Sequence, residues 1–246
     1  PSAKFYPEGG EIFDDWDICR TDAAGEDGFF QISATGFHPI IAAESLGQNA
    51  DHAYYTGALF AGEYQDISQR AEEIFAFVRD SVRYTSDESL FGFAEFAQNA
   101  DELAGIIEDR GVAHGDCEDY AVLLAVMYKG AGFRSAIVLA PEHAAALVYL
   151  PGYREANRSL SVDGEAGWIW AEATGGNNPL GWMPEEFLGT QLEVYEVEHE
   201  ALAKGEPPDK PSVEITPKSG SSGIHISPFF IVIALLFLIS LFRRRR

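Results

Sequence analysis

The chain of 246 residues has few basic side chains: 17 lysines and arginines stand against 39 aspartates and glutamates, for a formal net charge of −22. Four of the arginines, Arg243–Arg246, end the chain, so 13 basic residues face the 39 acidic ones in the remainder. A surface this acidic repels phosphate backbones, which excludes nucleic-acid binding. Lysine is especially scarce, with five residues, and this composition fits solvation in salty surroundings.

The sequence also lacks an oxygen-rich loop with the ligand spacing of a divalent-cation site, and it has no internal repeat. We therefore expect neither a metal ion nor a cofactor. Cysteine is scarce too, since Cys19 and Cys117 are the only two. In an oxidising exterior these two thiols could form a disulfide, which would make Cys117 structural or switchable by reduction.

Long apolar runs are rare, but one lies near the end of the chain. Residues 226–242 carry no charge and are interrupted only by Ser227, Pro228 and Ser240, before the four arginines begin. At about 1.5 Å per residue, a helix of this length just spans a hydrocarbon core. A buried core helix is the alternative, but no later segment could cover it. We therefore predict a membrane anchor, with the arginines in the cytoplasm and the earlier residues outside.

This topology requires export, yet no N-terminal signal is present, and the chain starts at Pro1. We expect that a signal preceded this residue. The alternative is a tail-anchored protein that faces the cytoplasm. The apolar helix with its basic end also resembles prokaryotic C-terminal sorting signals, which are cut and replaced by another anchor.

Composition divides the chain into an irregular N-terminal segment packed on the core, a globular domain, a linker rich in Pro, Gly and Ser, the anchor and a basic tail. Their predicted bounds are 1–65, 66–200, 201–225, 226–242 and 243–246.

Within the globular domain, apolar residues at helical spacing predict a helix from Asp66 through Arg83, with Gln69 at capping-box spacing. Residues 99–109 predict a second helix, and a nearly all-apolar helix follows Cys117. Strand-like runs come later, at Arg134–Leu139, His143–Leu150 and Gly167–Thr174. Helices followed by strands predict an α+β fold in which the Cys-bearing helix packs on an antiparallel sheet.

Cys117 is the most informative residue because it lies at the first turn of that helix. Unpaired backbone N–H groups and the positive end of the helix dipole stabilise a thiolate at such a position. A nucleophilic thiol needs a base, and the base needs an orienting partner. His143 opens one strand and Glu172 ends another, so they become neighbours if the two strands pair. Asp119 fits a structural hydrogen bond or helix-start charge better than a catalytic role.

Five segments of the chain resemble, in the same order, those of transglutaminase-like proteins: the helix that opens the core, the nucleophile motif, the His and acid segments, and the segment after them. In this sequence they are Ala71–Tyr84, Gly115–Ala121, Pro141–Ala145, Glu172–Thr174 and Gly181–Glu185. The resemblance covers about residues 66–190 and implies a papain-like core with a Cys-His-acid triad. It makes Cys117 the nucleophile, His143 the base and acid, and Glu172 the orienting residue.

The chain departs from the family pattern in two respects. Many members carry Asp where this chain has Glu172, whose carboxylate lies on a longer side chain. The stretch between His143 and Glu172 is also long, so we expect Pro151–Ala166 to loop out and border the substrate cleft. The backbone N–H of Cys117 is the natural first oxyanion donor, and no residue stands out as the second.

The leading functional hypothesis is a membrane-anchored thiol enzyme that acts on amide bonds of a protein or peptide at the cell surface. Hydrolysis and transfer to an amine both remain open, although the resemblance to prokaryotic members implies a peptidase or amidase. One alternative is an inactive transglutaminase-like module that binds cell-surface polymer or protein. Another is a redox-regulated structural protein built on a disulfide between Cys19 and Cys117. Trp168, Trp170 and Trp182 fit core positions better than a substrate platform.

Overall fold

This computed structural model describes residues 5–14, 19–21, 30–33, 36–39, 52–197 and 212–217. Two of its helices begin with a residue whose side chain accepts a hydrogen bond from the first turn. The side chain of Asp66 accepts a hydrogen bond from the backbone N–H of Gln69 at 2.9 Å. At the other helix start, Asn99 accepts from the N–H of Asp101, and its own N–H donates to Glu102. These caps satisfy N–H groups that have no partner inside the helix.

The five helices of the described residues are α1 (His52–Glu63), α2 (Ile67–Ser81), α3 (Asp87–Leu90), α4 (Ala100–Arg110) and α5 (Cys117–Gly130). A 3-10 helix follows at Glu185–Phe187. The sequence correctly predicted α2, α4 and α5 as helices. It extended α2 to Arg83, whereas the structure turns to extended backbone at Val82.

Short two-stranded pairs surround the helices. The first two are the hairpins β1 (Tyr6–Glu8) with β2 (Glu11–Phe13), and β3 (Phe30–Ser33) with β4 (Gly36–Pro39). The third is a parallel pair, β5 (Val82–Tyr84) with β6 (Ala113–Gly115), which leads the chain directly into α5.

A six-stranded antiparallel sheet supports α5. It contains β7 (Ser135–Ala140), β8 (His143–Tyr149), β9 (Arg158–Val162), β10 (Glu165–Ala171), β11 (Glu193–Glu196) and β12 (Val213–Pro217). The spatial order is β11-β7-β8-β10-β9-β12, and every neighbouring pair is antiparallel. The predicted mixture of helices with an antiparallel sheet is therefore confirmed.

Two strands lie where the sequence analysis expected none. The predicted loop Pro151–Ala166 contains β9, which forms a hairpin with β10 through the two-residue turn at Asp163 and Gly164, both with positive φ. Gly tolerates this backbone conformation without steric cost, which suits it to such turns. The predicted linker 201–225 contains β12, which adds to the exposed edge of β9. The loop expectation was wrong for residues 158–162, and residues 213–217 form a strand within the predicted linker. Both strands are short and carry polar residues between the apolar ones, so their apolar periodicity is weak.

Helix α5 is the centre of the core. It contacts α1, α2 and α4 on one side and strands β7 and β8 on the other, so its residues from Glu118 through Tyr128 are all buried. The opposite face of the sheet is also covered, by a second apolar cluster that includes Trp168, Trp170 and Phe187. Trp168 and Trp170 are thus core residues, as the sequence suggested, whereas Trp182 is 38% exposed.

Helix α1 lies in the N-terminal part of the chain that the sequence analysis described as irregular, and that expectation was wrong for residues 52–63. Its inward contacts use the small residues Ala53 and Gly57 rather than an apolar stripe, so its periodicity is weak. A side chain of α4 caps its first turn, since Asp101 accepts a hydrogen bond from the N–H of Ala53 at 2.9 Å.

No helix among the described residues is long and apolar enough to cross a membrane. The predicted anchor at 226–242 lies outside those residues, and so does most of the predicted linker. The domain boundaries proposed from the sequence stay predictions.

The contact between α1 and α5 provides a test of this packing. A Cβ added at Gly57 would lie 2.0 Å from the carbonyl oxygen of Met127, so Gly57→Ala must push the two helices apart. Overpacking of this kind costs about 1–3 kcal/mol, and we expect a lower melting temperature and urea midpoint. Gly62→Ala in the same helix is the matched control, because a Cβ there meets nothing within 4 Å. Equal stability of the two variants would contradict the close approach of α1 to α5.

Candidate active site

Cys117 is positioned by a tight turn between β6 and α5. The carboxylate of Asp119 accepts hydrogen bonds from the backbone N–H and side-chain Nε2 of Gln98, both at 2.8 Å, and from the N–H of Asp116 at 3.2 Å. A side chain at Gly115 would collide with this carboxylate, since an added Cβ would lie 2.2 Å from it. Asp119 is fully buried and makes structural hydrogen bonds, as the sequence analysis expected.

His143 and Glu172 lie on adjacent strands of the sheet. A two-residue turn at Pro141 and Glu142 joins β7 to β8, so that His143 is the first residue of β8, while Glu172 directly follows β10. Strand β8 pairs with β10. The two side chains meet, with His143 Nε2 2.5 Å from Glu172 Oε2.

Glu172 is a buried carboxylate whose second oxygen is held by Thr174. The Thr174 hydroxyl donates to Glu172 Oε1, and the Thr174 backbone N–H donates to the same oxygen at 3.3 Å. Burial acts to raise the pKa of Glu172, but the hydrogen bonds and charge of His143 and the donors of Thr174 outweigh it and leave this pKa below its usual value. Glu172 is therefore ionised at neutral pH.

Helix α5 packs against β8, and Cys117 at its start interacts with the second residue of that strand. The backbone amide of Ala144, the residue after His143, faces the Cys117 sulfur and favours its anion. Because Nε2 of His143 is engaged by Glu172, Nδ1 is the ring nitrogen that this pair leaves unused. The structure thus pairs two of the residues that the sequence analysis selected and places the third, Cys117, at the residue next to His143. The catalytic roles of all three stay a proposal.

The acidity of Cys117 differs from the expectation based on its helix position. Burial raises the pKa of the thiol, and the nearby Glu118 and Asp116 carboxylates raise it further, with only the Ala144 amide acting in the opposite direction. The thiol also donates to Glu118 Oε2 at 3.4 Å. The sequence position predicted a stabilised thiolate, whereas burial and the acidic neighbours raise the pKa of Cys117 in the structure. Cys117 rests as a neutral thiol.

Phe187 is a site residue that the sequence analysis missed. Its ring stacks on the imidazole of His143, with centroids 5.2 Å apart and planes inclined by 9°, and on Trp170 at 5.6 Å. This stacking restrains the plane of the His143 ring, and the hydrogen bond to Glu172 fixes the position of its Nε2 atom. The only sequence signal was the resembling segment Gly181–Glu185, which ends two residues before Phe187.

The comparison with known protein families agrees with this arrangement. Residues 55–186, more than half of the chain, match the model of the transglutaminase-like superfamily. The chain belongs to this superfamily. A search of curated proteins gives no match.

In this transglutaminase-like domain both cysteines are free thiols. Cys19 is buried beside Thr21, with the two side-chain atoms 3.8 Å apart, and its backbone bridges to Phe13. The structure therefore contains no disulfide between Cys19 and Cys117, which was the basis of the third functional alternative.

Four acidic residues near the thiol, Asp87, Asp116, Glu118 and Asp119, form a cluster that we call the acidic wall. One carboxylate oxygen of each residue lies within 4.8 Å of the corresponding atom of every other member. Burial, together with the neighbouring carboxylates, raises the pKa of Asp87 to about 7 and that of Glu118 to about 11. The sequence analysis did not detect this wall, because Asp87 joins it from 29 positions before Asp116.

The buried carboxylate of this transglutaminase-like domain predicts a specific dependence of stability on pH. Since the pKa of Glu172 is lowered on folding, its stabilising contribution is present above the unfolded value and is lost as pH falls through the folded one. Thr174→Val removes the hydroxyl donor to this carboxylate. We expect a higher pKa for Glu172 by carboxyl-carbon NMR, and a stability loss of about 1–2 kcal/mol near neutral pH.

Thr216→Val is the control for this prediction, because it makes the same change at an exposed position of β12. It should leave both the carboxyl titration and the urea midpoint unchanged. A Thr174→Val protein with an unaltered Glu172 titration would show that the hydroxyl does not support the carboxylate.

Proposed function

We propose that this chain is a membrane-anchored thiol enzyme that cleaves or transfers acyl groups at amide bonds, and most specifically a cysteine peptidase or amidase. The observation that carries the proposal is the hydrogen bond between His143 and Glu172 at the point where the amide of Ala144 faces the Cys117 sulfur. Membership of the transglutaminase-like superfamily supports it, since thiol chemistry on amides is what the resemblance implies. The expected substrate is a protein or peptide at the cell surface.

The first step in this mechanism is proton transfer within the pair. Because Cys117 rests as a thiol, His143 must act as a general base and accept the thiol proton on Nδ1 as the sulfur attacks the amide carbonyl. Glu172 stabilises the imidazolium that forms and keeps its own charge, since its pKa is lowered. Stacking against Phe187 restrains the orientation of the ring during this transfer.

The second step expels the amine. A sulfur–carbon bond has formed and the carbonyl oxygen carries negative charge, for which the backbone N–H of Cys117 is the proposed first donor. His143 then returns its proton to the amide nitrogen, so the carbon–nitrogen bond breaks and a thioester on Cys117 remains. Water, deprotonated by His143, releases a carboxylic acid, whereas an amine releases a new amide. Both outcomes regenerate the thiol and the neutral imidazole.

The reactivity of Cys117 tests the proposal directly. In the full chain, iodoacetamide should alkylate Cys117 near neutral pH, and His143→Ala should slow this labelling by about tenfold or more because the general base is lost. Mass spectrometry locates the adduct, and Cys19 serves as an internal reference because it is a buried thiol. Cleavage of a peptide amide should disappear in Cys117→Ala and in His143→Ala.

His114→Ala is the matched control for the base. His114 is an exposed histidine three residues before Cys117, and its ring bonds to Thr85 rather than to the proposed pair. Its removal should leave labelling of Cys117 unchanged. Slow labelling that responds equally to both histidine variants would refute the enzyme and leave the inactive binding module as the interpretation.

Membrane attachment is a separate part of the proposal and rests on the sequence of residues 226–242 and the arginines that follow. We expect the full chain to stay in the membrane pellet after an alkaline carbonate wash, and a chain ending at His225 to be released. Leu235→Arg combined with Leu236→Arg should also release it, since each central arginine costs about 2.5–3.5 kcal/mol in a membrane helix.

Arg243→Gln combined with Arg244→Gln is the control, because it changes charge outside the apolar run and should leave the chain in the pellet. Protease added to intact cells should digest the globular domain if it faces outward. Full protection of the domain, or complete extraction of the unaltered chain by the wash, would contradict this location.

A further inference from the structure

We propose that the acidic wall of Asp87, Asp116, Glu118 and Asp119 is a binding site for one hard divalent cation, with Ca²⁺ as the best-fitting ion. The carboxylates come from two parts of the chain, the first residue of α3 and the turn that opens α5. Folding brings one oxygen of each within 4.8 Å of the others, a spacing that oxygen atoms around a single ion require. This inference is independent of the reaction proposed for Cys117.

Unpartnered oxygens point to a ligand inside this cluster. Asp87 Oδ1, Asp116 Oδ1 and Glu118 Oε1 are buried and have no hydrogen-bond partner within the part of the chain that the structure describes. Asp87 is 0% exposed and Glu118 is 4% exposed, so bulk water does not solvate them. An unsatisfied buried carboxylate oxygen is costly, and coordination of a cation removes that cost.

The other oxygen of each of these three carboxylates is held in place. The N–H of Phe96 donates to Asp87 Oδ2 at 2.5 Å, and the N–H of Asp87 donates to Asp116 Oδ2 at 3.4 Å. The thiol of Cys117 donates to Glu118 Oε2. Each of these carboxylates thus accepts from a donor on one oxygen and has its second oxygen buried without a partner among the described residues, so hydrogen bonds support the groups that would act as ligands.

The lack of basic partners for the acidic wall among the described residues also favours a bound cation. Within the described ranges, the arginines that form ion pairs do so with other acids, namely Asp14, Glu102, Asp80, Glu165 and Glu196. No Lys or Arg in that part of the chain forms an ion pair with any member of the wall. Four carboxylates packed together repel one another unless a counter-charge or protons intervene. A divalent cation supplies that counter-charge.

The donor set selects the type of ion. Carboxylate oxygens suit Ca²⁺ or Mg²⁺, and a set of four carboxylates favours Ca²⁺, which takes about six to eight oxygens at about 2.3–2.6 Å, whereas Mg²⁺ usually keeps several waters and binds one or two carboxylates. Water would complete the shell. The Cys117 sulfur also lies close to Asp116 and Glu118, and a site using that sulfur would instead prefer a softer ion such as Zn²⁺. Asp87 and Asp119 make the oxygen-only set the larger one.

Calorimetric titration of the chelator-treated full chain in detergent tests the site, with CaCl₂, MgCl₂ and ZnCl₂ as separate probes. We expect one Ca²⁺ or Mg²⁺ per chain, bound about tenfold or more weakly in Asp87→Asn and in Glu118→Gln, since affinity follows the number of charged ligands. Glu88→Gln is the matched control, because it neutralises an exposed neighbour in α3 and should leave affinity unchanged. Cys117→Ser removes the proposed thiol chemistry but keeps a donor for Glu118 Oε2, so it should retain Ca²⁺ binding, which separates this inference from the enzyme function.

Terbium luminescence on the unaltered chain provides a measurement that needs no variant. Tyr84 lies close enough to Asp116, Glu118 and Asp87 to feel their charges, so it should sensitise bound Tb³⁺, and added Ca²⁺ should displace the emission. The proposal is overturned if neither Ca²⁺ nor Mg²⁺ binds, which would mean that shared protons satisfy the carboxylates. It is equally overturned if all variants bind alike, or if only Zn²⁺ binds and Cys117→Ser abolishes that binding.

Discussion

Burial of α5 on all sides is the constraint on which this molecule depends. Helices pack against one face of α5 and the sheet packs against the other, so its first residue has almost no freedom to move relative to β8. Close-packed interiors transmit position in this way because a displaced helix would open voids or cause overlap on both sides. The core therefore holds Cys117 beside the start of β8, where it interacts with the amide of Ala144.

The same burial creates an electrostatic difficulty at the start of α5. Three acidic residues surround Cys117 in the sequence, and folding adds Asp87 to them, so a thiol that must ionise lies beside carboxylates that oppose ionisation. Among the described groups that act on this thiol, the amide of Ala144 is the one that favours the anion. A resting thiol that reacts only when His143 accepts its proton is consistent with this balance, and it limits reaction of the thiol in the absence of substrate.

The sequence was most reliable where one chemical pattern served both folding and function. The apolar helix after Cys117, the strand that opens at His143 and the strand that ends at Glu172 were all predictable, because burial on both sides produces long apolar runs. Helix α1 was not, since its contacts depend on Gly57 meeting the backbone of another helix. Strand β9 was missed for a related reason: it is short and largely polar, and its place in the sheet depends on pairing with β10 and β12.

The local sequence determined the α+β character, the helix that carries Cys117 and the acidic composition, and it predicted His143 and Glu172 as neighbours. Periodicity, caps and turn residues are short-range signals, and they act before distant segments are in contact. Only the tertiary structure decided the ring of Phe187 against His143, the approach of Asp87 to Glu118 and the resulting acidity of the thiol. These features depend on distances between segments that are far apart in the chain, and electrostatic energies in a buried site are set by those distances rather than by the order of residues.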